Sequence, residues 1–220
     1  MIEVVGQILP LALAVAFSTV PIIAAILILL SDAKPLVSIA LLLGWAAGMA
    51  LVLTLLTLGV AAIPASSPPR NDTTVGVVRI LLGSALFIYS IAKWRRRSAK
   101  SSDAPRWMSA LNKINTVGAL GFGVALALRP KNIVLSIAGA VVIGDASLPV
   151  NDAALVIGIF TLIGVSTVAV PIIGHFSAPE KTRNPLNATR AWIINNTATI
   201  MLAVALLVSL IIIGSGIATL

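Results

Sequence analysis

The 220-residue chain has no cysteine, one histidine, one tyrosine and seven acidic residues. The missing cysteine excludes disulfides, thiolate metal sites, cysteine nucleophiles and a membrane dithiol relay. The lone histidine, His175, lies at a predicted helix end and reads as structural. HExxH, GxSxG, P-loop and paired catalytic carboxylates are all missing. Gly118, Gly121 and Gly123 echo a fragment of a dinucleotide loop, but they lie in an apolar stretch without a preceding strand, so they read as helix packing. The expectation is a non-enzyme that uses neither cofactor nor metal.

Charge is scarce as well. Charged residues make up 10% of the chain, against about 25% in soluble domains. Apolar residues make up 59%, and the mean hydropathy is +1.08. Segments 4–31, 35–69, 153–179 and 191–220 carry no formal charge. Each exceeds the roughly 18 residues that mark a membrane-spanning helix. Glu3 is the only early charge, so the N-terminus lacks the basic region of a signal peptide and reads as a retained first span.

The pattern predicts an all-α integral membrane protein with six transmembrane helices, at about 5–30, 36–63, 75–93, 116–143, 153–175 and 191–217. Breaker residues punctuate the connections at 32–35, 64–72, 145–152 and 179–185. The third connection holds Lys93, Arg95, Arg96, Arg97, Lys100, Arg106 and Lys113 against one acid, Asp103. The positive-inside rule places it in the cytoplasm. Loops 31–35, 94–115 and 176–190 are then cytoplasmic, with Lys34, Lys181, Arg183 and Arg190 on the same side, and both termini are outside. Eleven of the 15 basic residues fall inside on this reading. Arg70, Glu3, Asp72, Asp145 and Asp152 fall outside, and Arg79 can snorkel from the outer end of the third span. Residues 105–114 could form an interfacial helix, with Trp107, Met108, Leu111 and Ile114 at helical spacing, or stay a solvated basic loop. The segment serves topology without nucleic acid.

The chain also repeats. Val15 and Ala16 precede Pro21 at the offset at which Val124 and Ala125 precede Pro130. This divides it into a three-helix unit at 1–94, the connection at 95–115 and a second unit at 116–220. Three spans per unit force opposite orientations, so the two repeats are expected to be inverted, with helices 1 and 4 broken at Pro21 and Pro130. The carbonyls of Phe17 and Leu126 lose their usual donors there.

Helix 4 carries Leu128-Arg129-Pro130-Lys131-Asn132 near its middle. Each cation costs about 2.5–3.5 kcal/mol at mid-bilayer. Topology does not explain them. Pro130 suits the first position of a new half-helix, whose amides and dipole attract an anion beside Arg129 and Lys131. Ser18 and Thr19, next to Pro21, offer hydroxyls from the other repeat. Asn132 completes the candidate substrate-binding set, and Asn195 and Asn196 could line an entrance or bond at a helix end. No acid lies mid-span, so no carboxylate proton relay is visible. Gly44 and Gly48 form a GxxxG pair, read as a close-packing face. Pro171 reads as a kink.

These residues resemble the lysine-exporter superfamily and, within it, the sulfolipid-addressing or glycopeptidolipid-addressing (GAP) branch. Three stretches carry the resemblance: Pro105-Arg106-Trp107-Met108-Ser109-Ala110-Leu111, Arg129-Pro130-Lys131-Asn132, and Arg190-Ala191-Trp192 followed by Asn195-Asn196. Arg129 stands where relatives often have asparagine, and Val20 also departs from their usual context. The resemblance implies an inner-membrane exporter of cell-envelope glycolipids or their precursors, and the two repeats suggest alternating access about a midplane site as its mechanism. Its partners would be an anionic lipid or glycolipid, the membrane, a lipid-synthesis or lipid-export complex docked on the basic 93–113 segment and, by superfamily analogy, a second copy of the chain. Two alternatives stay open: a small-solute exporter for amino-acid-like substrates, and a non-transporting accessory subunit of an envelope-lipid machine.

Overall fold

The computed structural model describes residues 1–31, 34–62, 111, 114–146 and 148–217, with scattered helical positions between 77 and 92. The span at 75–93 lies mostly outside the described residues, as do the outer loop with Arg70 and Asp72, Arg79, and nearly all of the basic connection with its interfacial helix. Among the described residues the structure is helical: α1 (Ile2–Ala16), α2 (Thr19–Leu30), α3 (Pro35–Ala61), α4 (Thr116–Ala127), α5 (Pro130–Asp145), α6 (Val150–Ser177) and α7 (Pro179–Ile217).

α3 and α6 are each long and apolar enough to cross a bilayer. The pairs α1–α2 and α4–α5 qualify as single bent spans, with bends of 49° and 61°. The described residues therefore hold two such helices, or up to four spans if each bent pair counts as one. The composition of α3 shows the solvent it is built for. Gly44, Trp45, Gly48, Met49 and Leu53 are buried, at spacings of one to four residues along one helix face. Leu36, Leu43, Leu51, Leu55 and Leu58 are more than half exposed. Large aliphatics outside and small residues at the helix contact are the arrangement expected in lipid. The chain is a multi-pass membrane protein.

The chain divides into a unit of Met1–Ala62 with Ser102–Asn195 and a second of Ile63–Ser101 with Asn196–Leu220. In the first unit, α3 packs on both halves of the second bent span. The GxxxG face makes this possible. A Cβ at Gly44 would collide with the Leu120 backbone, and one at Gly48 would meet Val124 and Ala127 at 3.0 Å. Further along, Gly139 faces Leu53 and Gly144 faces Val60. Residue numbers rise together on the two elements, so α3 runs parallel to α4–α5.

α6 packs on α1 and α2. Gly164 faces Val15, the Thr167 hydroxyl reaches Ala16, and His175 shares a pocket with Ile28. α6 therefore runs parallel to α1–α2. α1 lies against α5, and α2 lies against α4. The N-terminal half of each bent span thus meets the C-terminal half of the other. The two bent spans are therefore antiparallel.

Two expectations shift. The first span breaks at Phe17–Ser18, upstream of Pro21, which is the third residue of α2. Proline is tolerated in the first turn of a helix, and the residue it deprives of a donor lies four positions back. The break therefore opens at Phe17. The fifth connection, read as a turn at 179–185, is instead the start of α7, a helix of 39 residues. Pro179 begins the helix, where a missing donor costs nothing, and Pro185 lies inside it. At 1.5 Å per residue α7 is about 58 Å long, nearly twice what the hydrocarbon core requires.

Candidate functional site

The two breaks are built alike. α1 ends on the C-cap Phe17 and α2 begins from the N-cap Ser18. α4 ends on the C-cap Leu128 and α5 begins from the N-cap Arg129. Phe17 and Leu128 are both a little over half exposed, at 53% and 54%. Arg129 is extended, with φ −66° and ψ 143°. Pro130 enforces this, because a proline ring drives the preceding residue out of the helical region. Structurally, then, Ser18 corresponds to Arg129. The Val-Ala match in the sequence is two positions out of this register.

At each break one helix ends, leaving carbonyls, and another begins, leaving amides. The two kinds of end are treated differently. The Ala16 carbonyl at the end of α1 accepts a hydrogen bond from the Thr167 hydroxyl of α6, at 2.6 Å. The Leu126 carbonyl lost its helical donor to Pro130. It accepts instead from the Nδ2 amide of Asn132, at 2.8 Å, and more distantly from the Arg129 backbone amide, at 3.4 Å. The amide ends receive nothing comparable: neither Ser18 nor Arg129 makes a side-chain cap bond. The carbonyls of Ala16 and Leu126 thus receive side-chain donors, whereas neither new helix start is capped by its own N-cap side chain.

The candidate residues fall into two groups. Ser18, Thr19 and Pro21 are buried at the start of α2, and Asn132 is 1% exposed at the start of α5. Arg129 is half-buried, and Pro130 and Lys131 are exposed on the outward side of the same turn. Asn132 is thus a structural clamp on the break, with its Oδ1 buried and unpartnered. The described acids Glu3, Asp145, Asp152 and Glu180 all sit at helix ends, away from the breaks. The turn carrying Arg129 and Lys131 is therefore electropositive, with the positive end of the α5 dipole at it. Asn195 and Asn196 lie well inside α7 rather than at its start. The helix-end role is thus removed, and Asn195 is exposed.

Thr167 was missed by the sequence reading. It lies 151 residues from the carbonyl it serves, and no periodicity signals such a bond. Thr167→Val removes the side-chain donor of the Ala16 carbonyl, and Asn132→Leu leaves the buried Leu126 carbonyl with only a long 3.4 Å bond from the Arg129 backbone amide, at a cost of about 1–3 kcal/mol each. Both variants should unfold at a lower temperature in detergent than the wild type. A Ser166→Ala control should not, since Ser166 bonds only to its own helix, at Ile163.

No curated protein matches the chain, and no solved structure matches it. A family model does, over residues 8–218, and it describes Sap, the sulfolipid-1-addressing protein. That match covers nearly all of the helical structure described above, both breaks included. The chain belongs to the sulfolipid-1-addressing protein family.

Proposed function

We propose that this protein carries an anionic cell-envelope lipid, of the sulfated glycolipid class or a precursor of it, outward across the inner membrane by alternating access around the paired breaks. One observation carries the reading. At each break one carbonyl receives a side-chain donor, Ala16 from Thr167 and Leu126 from Asn132, while both helix starts lack a side-chain cap, and Arg129 and Lys131 flank the second of them. A site that offers donors and positive charge selects negative charge. Family membership points the same way, to a sulfolipid-associated role in the membrane.

The helix arrangement supports alternating access. α1–α2 is antiparallel to α4–α5, each with a parallel neighbour, α6 and α3 respectively. Inverted three-helix repeats generate this pairing. For α3 and α4 to run the same way, the chain between them must recross the bilayer an odd number of times, as a span at 75–93 would. The substrate headgroup would sit at the breaks, with its acyl chains remaining in lipid.

The test is surface-lipid analysis of a deletion strain. Loss of one anionic glycolipid class from the cell surface, with its accumulation inside, is the expected result. An unchanged surface profile would refute the carrier. An accessory subunit would show a different dependence: failure on neutralising Arg95, Arg96 and Arg97, and indifference to Arg129 and Lys131.

A further inference from the structure

A second polar pocket lies at the other end of the first unit, away from the breaks. Its volume is about 180 Å³, and it is lined by Ile28, Leu29, Ser31, Lys34, Pro35, Ser38, His175, Phe176 and Pro179. α2 and α6 end there, and α3 and α7 begin there. On the charge reading this is the cytoplasmic end, with Lys181 and Arg183 in the first turns of α7 and Glu180 beside them.

The chemistry of its lining is specific. Lys34 is the single formal charge among the described lining residues. The Ser38 hydroxyl donates to the Pro35 carbonyl at 2.8 Å, so its oxygen faces a ligand only as an acceptor. The Ser31 hydroxyl donates to Ile28 at 2.7 Å. The Thr182 hydroxyl donates to the carbonyls of Ala178 and Pro179, both at 3.0 Å. Its oxygen lies 3.2 Å from Nδ1 of His175, which holds the imidazole at the pocket wall as a hydrogen-bonding group. The pocket thus combines one described cation with hydroxyl and imidazole hydrogen-bonding groups. A bare oxyanion would use mainly the cation, and a neutral sugar only the hydrogen-bonding groups. A sugar carrying one sulfate or phosphate ester uses both.

The apolar side of the pocket points to an amphiphile. Phe176 lines it and is 41% exposed. Ile173 and Leu36, on the adjoining turns, are 62% and 61% exposed. Large exposed aliphatics beside a lysine mark the level where hydrocarbon gives way to headgroups.

We infer that this pocket is a capture site for the headgroup of a singly charged, sulfated or phosphorylated glycolipid, separate from the breaks. Lys34 binds the ester oxyanion, Ser38 accepts from a sugar hydroxyl, and His175 hydrogen-bonds another. The inference rests on the carrier reading only for the order in which the two sites are used.

The test is native mass spectrometry of the detergent-solubilised full chain, titrated with a sulfated galactosyl lipid, its unsulfated parent, or inorganic sulfate. The wild type should bind two copies of the sulfated lipid. Lys34→Ala with His175→Phe should retain one copy and weaken the other roughly tenfold or more. Lys34→Arg should restore binding, which separates a lost ligand contact from a damaged fold. The unsulfated parent should bind weakly, and inorganic sulfate should not displace the lipid. Wild-type stoichiometry and affinity in the double variant would overturn the inference, as would displacement by sulfate at equal concentration. Arg129→Ala with Lys131→Ala reports on the other site. If that variant still binds two copies, the site at the breaks fails while the pocket stands.

Discussion

Replacing Arg129 and Lys131 together by alanine abolishes export of the anionic lipid and leaves the protein at normal levels in the membrane. Both halves of this expectation follow from the same energies. Each cation near the middle of a span costs about 2.5–3.5 kcal/mol to insert. Removing both therefore makes insertion easier, and membrane abundance does not fall. An anionic headgroup at that depth faces a penalty of the same kind when no positive charge receives it. A loss of about 2.7 kcal/mol corresponds to roughly a hundredfold weaker binding. The single variants should lie between the wild type and the double variant. Arg129→Ala should be the more severe, since Arg129 is half-buried at the N-cap and Lys131 is exposed. The measurement is surface lipid in the deletion strain complemented with each variant, with membrane protein quantified in parallel.

The second large effect is structural. A Cβ at Gly123 would lie 2.5 Å from the Leu41 carbonyl oxygen and 2.6 Å from the Trp45 amide nitrogen. Both neighbours are backbone, so no side chain can rotate away. α4 and α3 would have to separate along the contact that carries the second break. Overpacking of this kind costs about 1–3 kcal/mol and at times more, and Gly123→Val adds two methyl groups to that collision. The variant should show several-fold lower membrane abundance and earlier unfolding in detergent. Gly121 provides the control on the same helix. Nothing lies within 4 Å of a Cβ there, and Gly121→Ala should behave as wild type. Equal abundance of the two variants would contradict the close α3–α4 contact.

Much of this fold could be read from residue types because the features are local. Pro130 breaks helix 4 at Arg129, since a proline restricts its predecessor whatever surrounds it. The GxxxG pair marks the α3–α4 contact because only glycine admits so near a backbone. The break in helix 1 was less legible. Pro21 shows that a break is near, but a proline can occupy any position of a first turn, so its distance from the break is ambiguous. The start of α7 was misread for the same reason: Pro179 and Pro185 look like a turn, yet one begins the helix and the other is accommodated within it. The least legible features join distant segments. Thr167 on the Ala16 carbonyl, and the pocket that Lys34 and His175 both line, exist only once α6 lies parallel to α1–α2. His175 read as a structural histidine, and its bond to Thr182 agrees with that, but its place in a pocket with Lys34 could not be seen from the chain.

The central claim is that the paired breaks form a water-reachable site that favours negative charge. The chain's lack of cysteine makes a direct measurement available. Ser18→Cys places the only thiol of the protein at the break in helix 1, and its labelling rate can be compared between anionic and cationic thiosulfonates of similar size. The account predicts faster labelling by the anionic reagent, with the preference lost when Arg129 and Lys131 are both changed to Gln. Faster labelling by the cationic reagent, or a thiol that neither reagent reaches, would contradict it.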